Sequence, residues 1–389
     1  MSIFMPMVNR ENFCIFCRLR CHALYASPKQ LRIGKLSVDN FAMGGGLLYW
    51  LFMRIQLSHT FKDIISLDNL LRGWNGFLKG KRNKKDVQVF DRNLFDNLYD
   101  LHADLASHTY QHGAYKAFAI ADPKPRNIHK ATVRDRVLHH AIYLILYPFF
   151  DRTFVHYSYS CRKDKGTHKA IEQFKKYSTK LSNNNTKICY VLKCDIRKFF
   201  ASIDQNILLG ILSLSIPDVD IMRLLKEIIN SFHANEAGKG LPLGNLTSQL
   251  FVNIYMNEFD HYAKHGLHAK QYVRYADDFV LLSHDRAWLE KQIPKIEYFL
   301  NGVLCLNLHP DKVYIRSLVS GVDFLGWVNF PDHRVLRSAT SRRMQKQIAE
   351  NPKEETVQSY LGLLRHGNTE RLTKDVLNLY GLFREKNSE

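Results

Sequence analysis

The chain has 389 residues, of which 46% are hydrophobic, and its 55 Lys and Arg outnumber its 37 Asp and Glu to leave a formal net charge of +18. That is ample apolar material for a buried core spread over two or three lobes, and the positive excess points to a polyanionic partner, nucleic acid first, or else to a ribosome-associated or merely basic protein. Seven scattered cysteines exclude a secreted disulfide framework and suit a reducing cytoplasm, where the protein is expected.

Residues 1–55 read as an irregular or over-extended opening. Cys14, Cys17, Cys21 and His22 crowd within nine residues, poor spacing for a structural zinc site. The stretch from Phe41 to Met53 is broken by three glycines and too short to cross a bilayer, so no membrane partner is expected. Helical spacing begins at Ile64 and Ile65 and continues through Leu70, Trp74 and Phe77, with Asp68 as the expected N-cap and Gly80 as the stop. A second helix is expected from Val87 to Leu105. Residues 115–135 alternate as strands around Asp122-Pro123-Lys124-Pro125-Arg126, which favours a hairpin with Lys124 and Arg126 on one face. Helical spacing returns from Val133 to Phe150.

Ile188 to Ile196 is an apolar run suited to a buried strand that ends in one acid, Asp195. Pro217 and Asp218 open a helix, residues 238–244 form a loop, and Thr247 to Tyr262 is helical. Gln271 to Leu282 is two β-rich runs bracketing Ala276-Asp277-Asp278, a hairpin with acids at its turn. A helix from Ala287 to Leu300, a strand pair from Val322 to Phe330 and amphipathic helices over 338–384 complete the chain.

Adjacent carboxylates in an apolar run are expensive to bury unless something positive neutralises them. A bare Asp277-Asp278 pair also suits a solvated turn, but Asp195 ends another apolar strand, and a local acidic cluster runs against the basic character of the whole. Oxygen ligands on neighbouring strands suit Mg²⁺, which prefers carboxylates plus substrate phosphate. Two such ions about 3.5–4 Å apart stabilise both oxygens of an in-line phosphoryl displacement.

At this point the sequence resembles the reverse transcriptases. Tyr275-Ala276-Asp277-Asp278 is similar to their YxDD motif, LKCDIRKFFASID to their first catalytic strand, GLPLGNLTSQ (Gly240 to Gln249) to their glycine-proline loop, and FLGW (Phe324 to Trp327) to their primer grip. The four blocks occur in family order over roughly residues 60–335. The resemblance implies an α+β right-hand polymerase, with N-terminal helices and fingers over 56–185, a palm with an antiparallel sheet over 186–335 and a helical thumb over 336–389.

It also implies an RNA-directed DNA polymerase that uses two Mg²⁺ ions (or Mn²⁺ in their place) and binds template RNA, RNA/DNA hybrid and dNTPs. Asp195, Asp277 and Asp278 are the implied catalytic acids and metal ligands, helped by the Ile196 carbonyl. Lys124, Arg126, Phe200, Leu243 and Gln249 are the implied nucleotide-binding set, with Phe200 as a steric gate against a ribose 2′-hydroxyl, or else a plain core aromatic. Phe324, Leu325, Gly326, Arg342 and Arg343 are the implied template–primer contacts. Lys312 is the implied proton donor to pyrophosphate, and as an isolated lysine equally a surface charge.

Within the family, LGNLTSQ, DPKPRNIHKATVRDRVLHHAI and VNFPDHRVLR are most similar to diversity-generating retroelement enzymes. These carry an aliphatic residue, here Leu243, where most relatives have glutamine, and they copy template adenine inaccurately. The same resemblance implies a bacterial or phage origin and a small basic accessory protein. The rival readings are a retron, group II intron or defence-type reverse transcriptase, and a non-catalytic RNA-binding protein on the same fold. Arg334, Arg337, Arg342, Arg343 and Lys346 suit contact with a nucleic-acid backbone, or a solvated helix face.

Overall fold

Ser66 caps the first long helix by accepting a hydrogen bond from the Asn69 amide at 3.3 Å, and helices and antiparallel strands follow it throughout the chain. In this computed structural model, residues 54–120, 125–350 and 353–386 are described. The described residues fall into two units. Of these residues, those within 54–155, 196–268 and 294–308 form the first, and those within 156–195, 269–293 and 309–386 the second. The cysteine-rich opening and the apolar stretch from Phe41 to Met53 lie outside the described residues. Among the described residues, no helix is long and apolar enough to cross a membrane.

The first unit opens with α1 (Phe61–Ile65), α2 (Leu67–Leu78), α3 (Lys85–Arg92) and α4 (Leu94–Ala106). Asp68, the expected cap, lies inside the first turn of α2, where its charge complements the helix dipole. The helix expected from Val87 to Leu105 is two helices, because the backbone leaves the helical region at Asn93 (φ −120°, ψ 43°). A hairpin follows, β1 (Lys116–Ile120) with β2 (Arg126–Lys130), and then α5 (Val133–Asp151). Thr132 caps α5 by accepting from the Asp135 amide. Helices α2 and α5 cross very closely at Gly73, where a Cβ would sit 2.9 Å from the Ala141 nitrogen and the Val137 oxygen. The Asn69 amide side chain spans the same crossing, donating to the Ile64 and Ala141 carbonyls.

The chain enters the second unit with α6 (Thr167–Leu181) and β3 (Tyr190–Asp195). It returns to the first for α7 (Phe199–Ser202), α8 (Gln205–Ser213), α9 (Val219–Asn230) and α10 (Leu246–His261). Asp218 caps α9 as expected, accepting from the amides of Asp220 and Ile221, while Pro217 lies just ahead of the cap. Almost every side chain of α10 is buried, so it is a core helix rather than a one-sided surface helix. The second unit resumes with β4 (Gln271–Tyr275), β5 (Asp278–Ser283) and the start of α11 (Arg286–Leu304), whose later turns belong to the first unit.

The remaining elements all lie in the second unit: β6 (Tyr314–Ser317), β7 (Val322–Phe324), β8 (Trp327–Asn329), β9 (Arg334–Leu336), α12 (Ser338–Glu350), α13 (Glu354–Leu364) and α14 (Glu370–Lys386). Two sheets organise this unit. One runs β4-β5-β3-β6 with antiparallel neighbours throughout, and the other is β7-β8-β9. The expected strand pair over 322–330 thus gains a third strand, β9. Its β7–β8 link is a two-residue turn with Leu325 (φ 53°) and Gly326 (φ 86°) both left-handed, as a type I′ hairpin requires. Val191, Val273, Val280 and Leu282 pack with Phe174 of α6 and Phe324 into one core. Trp327, Leu336, Met344, Ile348, Val357 and Val376 form a second beneath the C-terminal helices.

Candidate active site

β3 can be buried on both faces because its residues are apolar except at two alternate positions, Lys193 and Asp195. Alternation puts those two side chains on one face of the sheet. Their partners on β5 are Val280 and Asp278, so Asp195 and Asp278 stand directly opposite each other. Antiparallel partners lie about 4.5–5.5 Å apart between Cα atoms, so carboxylates remote in sequence meet. Asp277 is in the two-residue link between Tyr275 and Asp278, which are themselves paired. The link turns through Ala276, which is held at φ 55°, a left-handed conformation that costs a non-glycine residue about 1–2 kcal/mol.

Two lysines meet this acidic face. The Nζ of Lys312 donates to Asp195 Oδ1 at 2.8 Å. It is carried there by the short 3-10 turn Pro310–Lys312, which the His309 ring caps and which follows the His309 amide's bond to the Asp195 carbonyl at 2.7 Å. Lys312 is thus ion-paired with Asp195. The Nζ of Lys193, itself only 7% exposed, lies 3.1 Å from Asp278 Oδ1. The ammonium is within Coulombic reach but not aligned as a hydrogen-bond donor, so that buried oxygen has no hydrogen-bond partner. Burial pushes the Asp278 carboxyl up to about 7, with Asp195 and Asp277 pushing the same way and Lys193 opposing.

The donor set suits a hard divalent cation: carboxylate oxygens on paired strand positions, with one buried oxygen lacking a hydrogen bond. As they stand, no three acidic, His or Cys side chains among the described residues form a closed metal cage. Ile196, whose carbonyl was the fourth expected ligand, is buried and bridges Leu308. The flanking bonds run from His309 to Asp195 and from Arg197 to Asn307, so this ladder does not use the Ile196 carbonyl.

Sequence reasoning missed Lys193 and Arg274. Arg274 is 1% exposed, and its Nη1 donates to the Ala276 carbonyl at 3.1 Å while its Nη2 donates to Ser158 Oγ at 3.0 Å. Its backbone is bonded on both sides to Tyr157 and Tyr159 at 2.9 Å. The signal was a charged residue in the middle of an otherwise apolar strand. Arg274 braces the strained turn between the acids.

The nucleotide-binding expectations fall in the first unit. Lys124 lies outside the described residues. Arg126 opens β2 and is exposed. Phe200 is half-buried on α7, its ring edge-on to the buried Phe199 at 5.7 Å. The Leu241 amide donates to the Phe200 carbonyl and the His129 amide to the Leu243 carbonyl, both at 2.9 Å. The segments carrying Arg126, Phe200 and Leu243 are therefore joined directly. Gly244 is held at φ 116°, and a Cβ there would sit 3.0 Å from Ile128. Gln249 is half-buried in the first turn of α10.

Beneath the hairpin lies a buried polar set that sequence reasoning also missed. Tyr115 Oη accepts from the Asn245 amide side chain at 3.3 Å and contacts Ser231 at 3.0 Å and His112 at 3.3 Å. Asp135, 1% exposed, takes hydrogen bonds from Tyr110 and Thr132. Burial pushes the neighbouring His139 imidazole down to about 3, so it is neutral.

The expected template–primer residues lie in the second unit. Phe324 is fully buried against Phe174, 5.5 Å between ring centres, so it anchors the turn and leaves only Leu325 and Gly326 to meet a ligand. Arg342 is exposed on α12 and Arg343 half-buried. Of the other basic residues, Arg337 is bonded to Asp323 and Lys346 pairs with Glu350 at 3.6 Å.

The family model described as reverse transcriptase (RNA-dependent DNA polymerase) matches residues 121–328. The chain is 26% identical over 263 residues to protein YkfC of Escherichia coli K12, covering 57% of this chain and 66% of that protein. It is 22% identical over 293 residues to the group II intron-encoded protein LtrA of Lactococcus lactis, covering 57% and 47%. It thus spans less than two thirds of either curated relative. Apo telomerase from Candida tropicalis is similar over 69% of this chain and 57% of that one, at 12% identity and a TM-score of 0.46. With more than half of its length matched by the family model, the chain belongs to the reverse transcriptase family.

Proposed function

We propose that the protein is an RNA-directed DNA polymerase that extends a primer 3′-hydroxyl with deoxynucleotides and releases pyrophosphate. The observation that carries this reading is the pairing of Asp195 with Asp278 across β3 and β5, with Asp277 in the adjoining turn. Asp195, Asp277 and Asp278, with the Ile196 carbonyl, would hold magnesium. Bound there, divalent cations would acidify the attacking hydroxyl and offset charge on the triphosphate. The 3′-oxygen bonds to the α-phosphorus as that phosphorus loses its bond to the α,β-bridging oxygen, and the hydroxyl proton passes to solvent. Lys312 Nζ carries a proton that the departing pyrophosphate can take, and Arg126 steadies the triphosphate. Phe200 closes the space a 2′-hydroxyl would need. Lys124 completes the triphosphate grip in this reading, and Gln249 lines the nucleotide site.

The finer reading is the error-prone enzyme of a diversity-generating retroelement. Leu243 supports it, since an aliphatic side chain offers the incoming nucleotide apolar fit alone, and such fit discriminates by only about 1–3 kcal/mol. In this reading the template is an RNA from the same locus, and a small basic accessory protein takes part. Similarity to an intron-encoded protein favours a second reading, a group II intron-type enzyme. Frequent misincorporation opposite template adenine marks the retroelement enzyme, and a flat error spectrum marks the intron type. Replacing Asp277 and Asp278 together by Asn is expected to abolish DNA synthesis on a primed RNA while leaving RNA binding intact. Synthesis that persists in the double variant would show that the chemistry resides elsewhere.

A further inference from the structure

We propose that a cavity in the second unit, walled by α6, the β8–β9 turn and the α13–α14 turn, binds a phosphate of a nucleic-acid strand, and that none of its residues belongs to the carboxylate site. The cavity is about 240 Å³ and its lining includes Lys175, His333, Arg334, Arg365 and His366. One carboxylate, Asp332, also lines it, but that group is already bonded to the His333 ring at 2.7 Å. Among the described residues no carboxylate forms an ion pair with Lys175, Arg334 or Arg365, although Glu172 acts on Arg334 from a distance.

The wall is built rather than incidental. The Arg334 guanidinium lies over the Trp327 ring at 5.9 Å, giving it an apolar back and a polar front. Its backbone is clamped to the next turn: the Asn368 amide donates to the Arg334 carbonyl at 2.9 Å, and the Arg334 amide donates to Asn368 Oδ1 at 3.4 Å. That turn reaches Trp327 only because residue 367 is glycine, since a Cβ there would fall 2.1 Å from the ring. The His366 imidazole is stacked on His168 at 3.6 Å, and burial, with His168 and Arg334, lowers its affinity for a proton.

Lys175, Arg334 and Arg365 converge on this one polar hollow, and their positive field favours an anion there. Guanidinium and ammonium donors around a small cavity suit phosphate oxygens. The volume is below the about 300–1,000 Å³ of pockets that enclose an entire small molecule, so the occupant is one group of a longer ligand. Resting on the RNA-copying function proposed above, and on a chain of net charge +18, we take that ligand to be a strand of RNA.

The test uses the full chain and a fluorescein-labelled single-stranded oligoribonucleotide, with binding read by anisotropy across a salt series. Lys175→Ala and Arg365→Ala, both at exposed positions, are each expected to weaken binding several-fold. Each should also flatten the slope of log K against log salt by about 0.7, the value of one lost phosphate contact on a single strand. Lys176→Ala, which removes an exposed charge next along α6 but outside the cavity lining, should leave both nearly unchanged. Equal effects from all three variants would overturn the proposal, as would a cavity that takes up inorganic phosphate while RNA affinity ignores Lys175 and Arg365. The Asp277→Asn/Asp278→Asn protein should show the same RNA dependence, so a failure here is separable from a failure of the polymerase assignment.

Discussion

Asp278→Asn should make the metal-free protein progressively more stable than the wild type as pH rises. The Asp278 side chain is 18% exposed and its carboxyl is pushed from the ordinary 3.8 to about 7. A folded-state value above the unfolded one means the protonated carboxyl is the form the fold prefers. Its contribution is therefore fully present below pH 3.8 and is lost as pH rises through 7. Ionising it in the fold, across the interval 7 − 3.8 ≈ 3, costs about 4 kcal/mol at 1.36 kcal/mol per pH unit. Asparagine cannot ionise, so the variant escapes that loss. Stranding the Lys193 ammonium adds an offset. Urea unfolding of both proteins in chelator, from pH 4.5 to 8, should show the stability difference widening by roughly that amount and then levelling above pH 7. Added Mg²⁺ should narrow it by stabilising the ionised wild type. A difference that stays constant across the range would mean that Asp278 is not held in a desolvated, mutually repelling set of acids.

Arg274→Met should leave the Ala276 carbonyl and the Ser158 hydroxyl without their donor, lowering stability by about 1–3 kcal/mol. The same change should cut kcat by up to ~10²-fold through displacement of the turn, with KM for dNTP little changed; steady-state primer extension checks both. Lys312→Ala should slow the chemical step by roughly 10²–10⁴-fold while RNA affinity holds, as read by single-turnover extension. Gly73→Ala should destabilise the protein by about 1–3 kcal/mol, since the added Cβ meets the backbone of α5, and chemical denaturation will report it. Leu243→Gln should lower misincorporation opposite template adenine, measured by sequencing extension products; an unchanged error spectrum removes the support that residue gives the retroelement reading.

The elements bearing the acids are legible in the sequence because each is a short apolar run closed by a carboxylate, as at Cys194-Asp195, or interrupted by two, as at Ala276-Asp277-Asp278. Their mutual position is not, because register depends on pairing between segments far apart in the chain. β6 escapes sequence reading because it is largely half-exposed with no alternation, and β9 because only Leu336 of its three residues is buried and arginines flank its apolar pair. α6 is missed because polar and charged residues together dominate it and only a narrow stripe, Ala170, Ile171, Phe174 and Ser178, is buried. Lys193 and Arg274 look like interruptions of buried strands, and only the fold reveals that one meets Asp278 and the other the Ala276 carbonyl. The burial of Phe324 is likewise not legible in its motif, because packing against Phe174 comes from α6, about 150 residues earlier in the chain.

The two-residue link through Ala276 and Asp277 also governs which changes of length the gene can tolerate. Side chains on a strand alternate between faces, so one residue added to or removed from that link would rotate Asp278 away from Asp195 and bring Phe279 round in its place. Lineages descending from this chain are therefore free to lengthen distant loops, whereas insertions or deletions between Tyr275 and Asp278 should be missing from every functional descendant.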